Sequence, residues 1–199
     1  MAGGSGCRLS KPNPTRHHYL LDVQRPTHAA PPRTREVLRV RPFRVAPAFD
    51  QRSLVYRRTD TGYESDFYHL FAADPGSLLA EATRGWLADA GVFDSVLPSA
   101  SLLTSTFTLD GTVSRLYGDF RDLNAPRAVL ALELTLSADR SPGPGVRLQR
   151  RYQTESRFEG TSPEALVQAW NRCLEEVFRS LEKDLQSLEW LHDTPNHPR

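Results

Sequence analysis

Residues 49–71 read FDQRSLVYRRTDTGYESDFYHLF, and the fold follows from how this stretch is read. Leu54, Val55 and Tyr56 supply β-favouring bulk, and Asp60, Thr61 and Gly62 supply a turn in which glycine is free to take positive φ. Tyr63, Phe67 and Phe71 recur at even spacing, so the return strand is expected to carry an aromatic face. The pattern predicts an antiparallel hairpin. Asp74 and Pro75 then open a helix, as N-cap and first helical residue.

The same two periods organise the rest of the chain. Leu79, Ala82, Trp86 and Ala90 repeat at three and four, with Gly91 as a left-handed stop, so residues 74–90 form an amphipathic helix. Gly85 beside Trp86 is expected to let that helix approach the sheet. Thr161-Ser162-Pro163-Glu164 has the composition of a capping box. Behind it Leu166, Trp170, Cys173, Leu174, Val177, Leu181, Leu185 and Leu188 hold one face of a longer helix.

Strands are expected at 19–23, 37–45, 103–109, 128–136 and 148–158, where apolar residues alternate with polar ones. Between 111 and 120 the alternation changes phase, which requires a bulge near Ser114-Arg115. The sequence SPGPG at 141–145 turns the chain. The strand after it carries Arg147, Gln149, Arg150 and Arg151, polar on both faces, and reads as a sheet edge protected by charge. The expected fold is α+β: an antiparallel sheet of about five to seven strands packed against two main amphipathic helices.

Of the 25 Lys and Arg residues, 12 precede Thr59, where the only acids are Asp22, Glu36 and Asp50. The formal net charge is nevertheless only +1. A basic first third fits an anionic partner, but Arg39, Arg41 and Arg44 fall within a strand pattern and no aromatic-interleaved nucleic-acid signature accompanies them. No run approaches the ~18 apolar residues of a spanning helix.

Motifs of catalysis are missing from the sequence: no G-x-S-x-G, no phosphate-cradling glycine loop, no C-x-x-C and no H-E-x-x-H. His17, His18, His192 and His197 have no carboxylate or thiol at ligand spacing, so no metal is expected. His69 is expected at the core edge, and Glu64 and Asp66 in solvent. Cys173 belongs to the long helix's apolar face. The expectation is a protein without catalytic residues, cofactor or metal.

Several segments, in this order, resemble the ABC-type transport auxiliary lipoproteins, the paraquat-inducible protein C-like family. They are Tyr19-Leu20-Leu21 after Cys7, the LRV-x-PF run at 38–43, LVYR at 54–57, the Tyr63/Phe67 return strand, Gly91-Val92-Phe93 at the helix exit, and VQAWN at 167–171. The resemblance spans roughly residues 19–188. It implies a periplasmic accessory subunit, usually tethered to the outer membrane, that accompanies an MCE-domain protein and an ABC transporter moving lipids or similar hydrophobic molecules.

On that reading Cys7, preceded by the small residues Ser5 and Gly6, is the lipidation candidate, although Gly4 stands where such motifs have leucine. Residues 1–23 contain no apolar leader segment, so two alternatives stay open: a signal segment precedes this start, or Cys7 is an unmodified cysteine of a cytoplasmic protein. The chain divides into a flexible tether at 1–17, one domain at 18–190 and a disordered tail at 191–199. The candidate partner surface comprises Tyr56, Tyr63, Tyr68, Arg150 and Arg151, and a homo-oligomer is compatible with it. The second reading is a cytosolic α+β module that binds nucleic acid or protein through the basic first third; the first expects no nucleic acid.

Overall fold

The computed structural model describes residues 15–26, 30–139 and 145–188. Cys7, most of the 141–145 turn, part of the 26–32 linker and the C-terminal tail lie outside the described residues. Among the described residues, nine strands and two helices form a single α+β arrangement.

The spine is β7 (Phe107–Asp119), a 13-residue strand. One of its edges pairs antiparallel with β8 (Arg127–Ala138) along its whole length, and β8 pairs antiparallel with β9 (Gly145–Arg157). Its other edge is shared by three short segments in succession, β2 (Val37–Val40), β3 (Arg44–Val45) and β4 (Ser53–Arg57), all parallel to it. Beyond β2 lies β6 (Ser95–Pro98), parallel; beyond β4 lie β5 (Tyr63–Phe71), antiparallel, and then β1 (His17–Tyr19), parallel to β5.

The sheet is therefore mixed and nine-stranded, not antiparallel with five to seven strands. Proline supplies part of the reason. The 37–45 segment, expected as one strand, is cut at Pro42, which has no N–H to give to a ladder, and Pro47 opens the excursion that follows β3. The pieces follow one another up the same edge of β7, so they are parallel to it by continuity. The four-residue β6 was not anticipated, being too short to show a period.

The return from β6 to β7 has no helix, and Arg39 holds it. Its guanidinium donates to the carbonyls of Ser101 (2.8 Å), Ser99 (3.2 Å) and Leu103, and to Ser105 Oγ (3.2 Å). Arg39 is thus a structural clamp, not a residue of a solvated strand face. The expected strand over 103–109 begins only at Phe107, leaving Leu102 and Leu103 exposed. The phase change is a bulge between Val113 and Arg115, as the sequence indicates, and β9, which among the described residues pairs only with β8, is a sheet edge.

Helices α1 (Pro75–Ala90) and α2 (Pro163–Gln186) lie close to the expected bounds and share one core with the sheet. Gly91 ends α1 at φ 64°, where a side chain would be strained. Three local expectations fail. The Asp74 side chain makes no capping hydrogen bond. Gly85 has open space where a Cβ would stand, and the close approach occurs instead at Gly76, against the Phe43 carbonyl. Gly62 turns the hairpin without positive φ, its N–H donating to Thr59 Oγ1 (2.8 Å).

In α2 the N-cap is Ser162, whose Oγ accepts from Ala165 N (3.2 Å). Glu164, one position too early to close a capping box, instead accepts from Tyr19 Oη (2.5 Å). The helices meet where Trp86 lies 5.6 Å from Phe178 and donates through Nε1 to Glu182 Oε2 (3.1 Å). Arg25 pairs with the same carboxylate (2.9 Å), so the chain after β1 is tied across both helices.

Trp170 is the largest buried side chain of α2. It is fully buried, packs 5.5 Å from Phe71 and donates to the Val129 carbonyl (3.3 Å). Trp170→Ala is expected to cost about 3–5 kcal/mol in urea unfolding, with a midpoint shift at unchanged slope.

Candidate functional site

The hairpin is irregular where the sequence looked regular. Ser53 pairs with Leu70 and Val55 with Ser65, so a two-residue advance on β4 faces a five-residue advance on β5. The surplus is bulged outward and pinned by Asp66. Its Oδ1 accepts from Tyr68 N (2.8 Å) and His69 N (3.0 Å), a local Asx-type closure. Oδ2 accepts from Tyr56 Oη (2.6 Å) and lies 2.8 Å from His69 Nδ1.

Tyr56 is consequently an interior residue, 8% exposed, with its ring edge-on to Phe120 at 5.3 Å. It cannot contribute to a partner surface without opening the core. Asp66 is likewise inward rather than solvated, whereas Glu64 is exposed and paired with Arg58 (2.8 Å). What the bulge presents outward is Phe67 (64% exposed) and Tyr68 (39%), edge to face at 5.1 Å, with Arg16 over the Phe67 ring at 4.7 Å. Phe67 and Arg16 were not among the expected contact residues. The signal available was the Asp66-Phe67-Tyr68-His69 run, an Asx-turn former inside a strand pattern.

The edge strand β1 completes this corner. His17 stacks on His69 at 5.4 Å, Tyr19 reaches Glu164, and Arg52 donates to the carbonyls of Phe71 (3.0 Å) and Ala72 (2.8 Å). Burial opposes ionisation of Asp66, yet the hydrogen bonds from Tyr56 and from the two backbone amides win, and its pKa lies below the ordinary aspartate value. Burial, reinforced by the neighbouring carboxylates, pushes the phenols of Tyr19 and Tyr56 well above theirs, so both remain donors.

Tyr63, 46% exposed, lies elsewhere. It packs on the opposite face of the sheet, 5.4 Å from Tyr117, which is itself stacked on Phe49 at 5.6 Å. Arg150 and Arg151 lie exposed on β9, at the edge opposite β1, with Arg151 reaching Glu133 at 3.8 Å. The five expected contact residues therefore do not converge on one patch. A groove lined by Arg41, Arg44, Asp110, Glu133, Thr135 and Gln149 runs between β3 and β9.

Among the described residues no three metal-ligating side chains cluster. Cys173 is fully buried, and burial raises its thiol pKa, as expected for a packing residue. No helix of the described residues is long and apolar enough to cross a membrane.

A sequence profile described as ABC-type transport auxiliary lipoprotein component matches residues 19–182, from β1 to the last turns of α2. The chain belongs to this family. That makes it a relative of transport auxiliary components rather than of enzymes, and a lipoprotein family points to a periplasmic or membrane-anchored location. Among solved structures it is similar to a DUF330 protein, XCC0632 of Xanthomonas campestris, at 19% identity and TM-score 0.69, over 86% of this chain and 93% of that one. It is also similar to the solved structure of an uncharacterized protein, at 16% identity and TM-score 0.67, over 86% of this chain and 99% of that one. These likenesses show that the fold is shared with those two proteins. No curated protein matches the chain.

The Asp66 latch has a pH signature. Because its folded pKa is depressed, its contribution to stability is complete above the ordinary value of 3.8 and is lost as pH falls through the lower folded value. Asp66→Asn is expected to cost about 1–3 kcal/mol at pH 7. It should also flatten the fall of stability below pH about 4, measured by denaturant titrations across pH.

Proposed function

We propose that the protein is a non-catalytic accessory subunit of an MCE/ABC-type system that moves lipids or similar hydrophobic molecules, held at the periplasmic face of the outer membrane through acylated Cys7. The family match across residues 19–182 carries this reading. Its partner, an MCE-domain protein, is met along β9, whose 13 residues leave one side of the ladder open for an added strand. Arg150 and Arg151 select an acidic complement there.

The competing picture, a nucleic-acid module using the basic first third, loses support because Arg25, Arg39 and Arg52 are committed to internal acceptors. Phosphate recognition would have to break those contacts first.

Two measurements test the proposal. Purification of the tagged, signal-bearing protein from solubilised membranes is expected to bring down the MCE component, and Arg150→Glu with Arg151→Glu to reduce that recovery by about tenfold, through charge reversal at an otherwise intact edge. Metabolic labelling with a fatty-acid analogue is expected to mark the wild type and not Cys7→Ser. Recovery of nucleic acid in place of an MCE protein would refute the partner assignment, and an unlabelled wild type would refute the anchor.

A further inference from the structure

The bulge on β5 has no role in the fold that explains its outward rings. Asp66, with 14% of its side chain exposed, spends four contacts on projecting Phe67 and Tyr68 into solvent. A tight hairpin would need none of them. Two adjacent exposed rings with a guanidinium laid over one are arranged as aromatic and cationic side chains are at a membrane interface, where the ring sits at headgroup level and the cation meets phosphate.

The chain's own connectivity puts this corner beside any anchor. Arg16, the residue over Phe67, is nine residues after Cys7, a reach of at most roughly 30 Å. Residues 1–17 contain Arg8, Lys11 and Arg16 and no acid. The nearby acids are engaged: Asp66 in the latch, Glu64 by Arg58 and Glu164 by Tyr19.

From this we propose that the Phe67–Tyr68 bulge, with Arg16, is the face that rests on an anionic phospholipid surface. The contact fixes the orientation of the domain so that β9, at the opposite edge of the sheet, points away from the bilayer. The inference rests on the Cys7 anchor for its setting, but the surface is testable without acylation.

Cys173 is fully buried, so maleimide-headgroup lipid in phosphatidylglycerol-containing vesicles couples the full chain through Cys7. In such vesicles made with brominated acyl chains, the tryptophan added by Phe67→Trp should lose about half its emission or more, since an interfacial ring lies within reach of the chains. The emission of the coupled parent chain supplies the baseline. For the uncoupled full chain carrying Cys7→Ser, Phe67→Ser with Tyr68→Ser should weaken vesicle binding about fivefold, from the apolar area withdrawn. Leu102→Ser with Leu103→Ser, a pair more exposed than the bulge and at the opposite end of β7, should not.

An unquenched Phe67→Trp overturns the proposal, as does equal weakening by the Leu102/Leu103 pair. Loss of MCE-protein capture by Phe67→Ser with vesicle binding unchanged would also overturn it, making the bulge a protein surface. Because coupling supplies the anchor chemically, failure of Cys7 acylation in cells would leave these readouts intact and would count only against the anchor. Urea midpoints and slopes matching wild type for the bulge variants establish that folding is not what changed.

Discussion

Three strand segments on one edge of β7 cannot lie end to end without a gap, and Phe43 fills it. The residue stands between β2 and β3, almost fully buried. Its ring lies where a Cβ on Gly111 of β7 would be, its N–H donates to the Gly76 carbonyl (3.1 Å), and its own carbonyl lies where a Cβ on Gly76 would be. One aromatic side chain thus closes the fork of the sheet and seats the first turn of α1. Only glycine at 76 and 111 leaves room for it. Everything beyond the fork depends on that closure: the β2–β6 branch under α1 on one side, and the β4–β5–β1 branch on the other.

Local chemistry made some of this legible and hid the rest. Both helices, their buried stripes, the Gly91 stop, the bulge after Val113 and the edge character of β9 are properties of short windows, and the residues in those windows suffice to read them. Strand direction is not such a property. Alternation in 37–45 says that side chains point to two faces; it does not say whether the neighbour runs parallel, which depended on Pro42 dividing the segment along a spine nearly seventy residues away. Arg39 shows the same limit, since its acceptors are carbonyls on a loop sixty residues downstream.

The candidate site was misread for a related reason. Even spacing placed Tyr63, Phe67 and Phe71 on one face, but the surplus residues bulged from β5 break the phase, so Phe71 is buried, Phe67 projects and Tyr63 turns to the far side. Tyr56, expected on the partner surface, uses its hydroxyl to hold the bulge. The signal was present in Asp66, whose side chain competes with a strand ladder by accepting from amides two and three residues ahead. A period count gives such a residue no weight.

The two edges of the sheet are finished differently, and the difference carries the functional argument. At one edge β1 is a three-residue strap fastened by Tyr19 to α2 and by the His17–His69 stack to β5, so little free ladder remains and the exposed surface is aromatic and cationic. At the other edge β9 is long and bordered by arginines, a surface that resists indiscriminate pairing and to which the proposed function assigns a strand with matching acids. A domain that needed only solubility would gain from closing or shortening both edges. Keeping one edge short and strapped beside the proposed attachment point, and the other thirteen residues long, fits the proposal that the subunit faces a membrane and a protein at once.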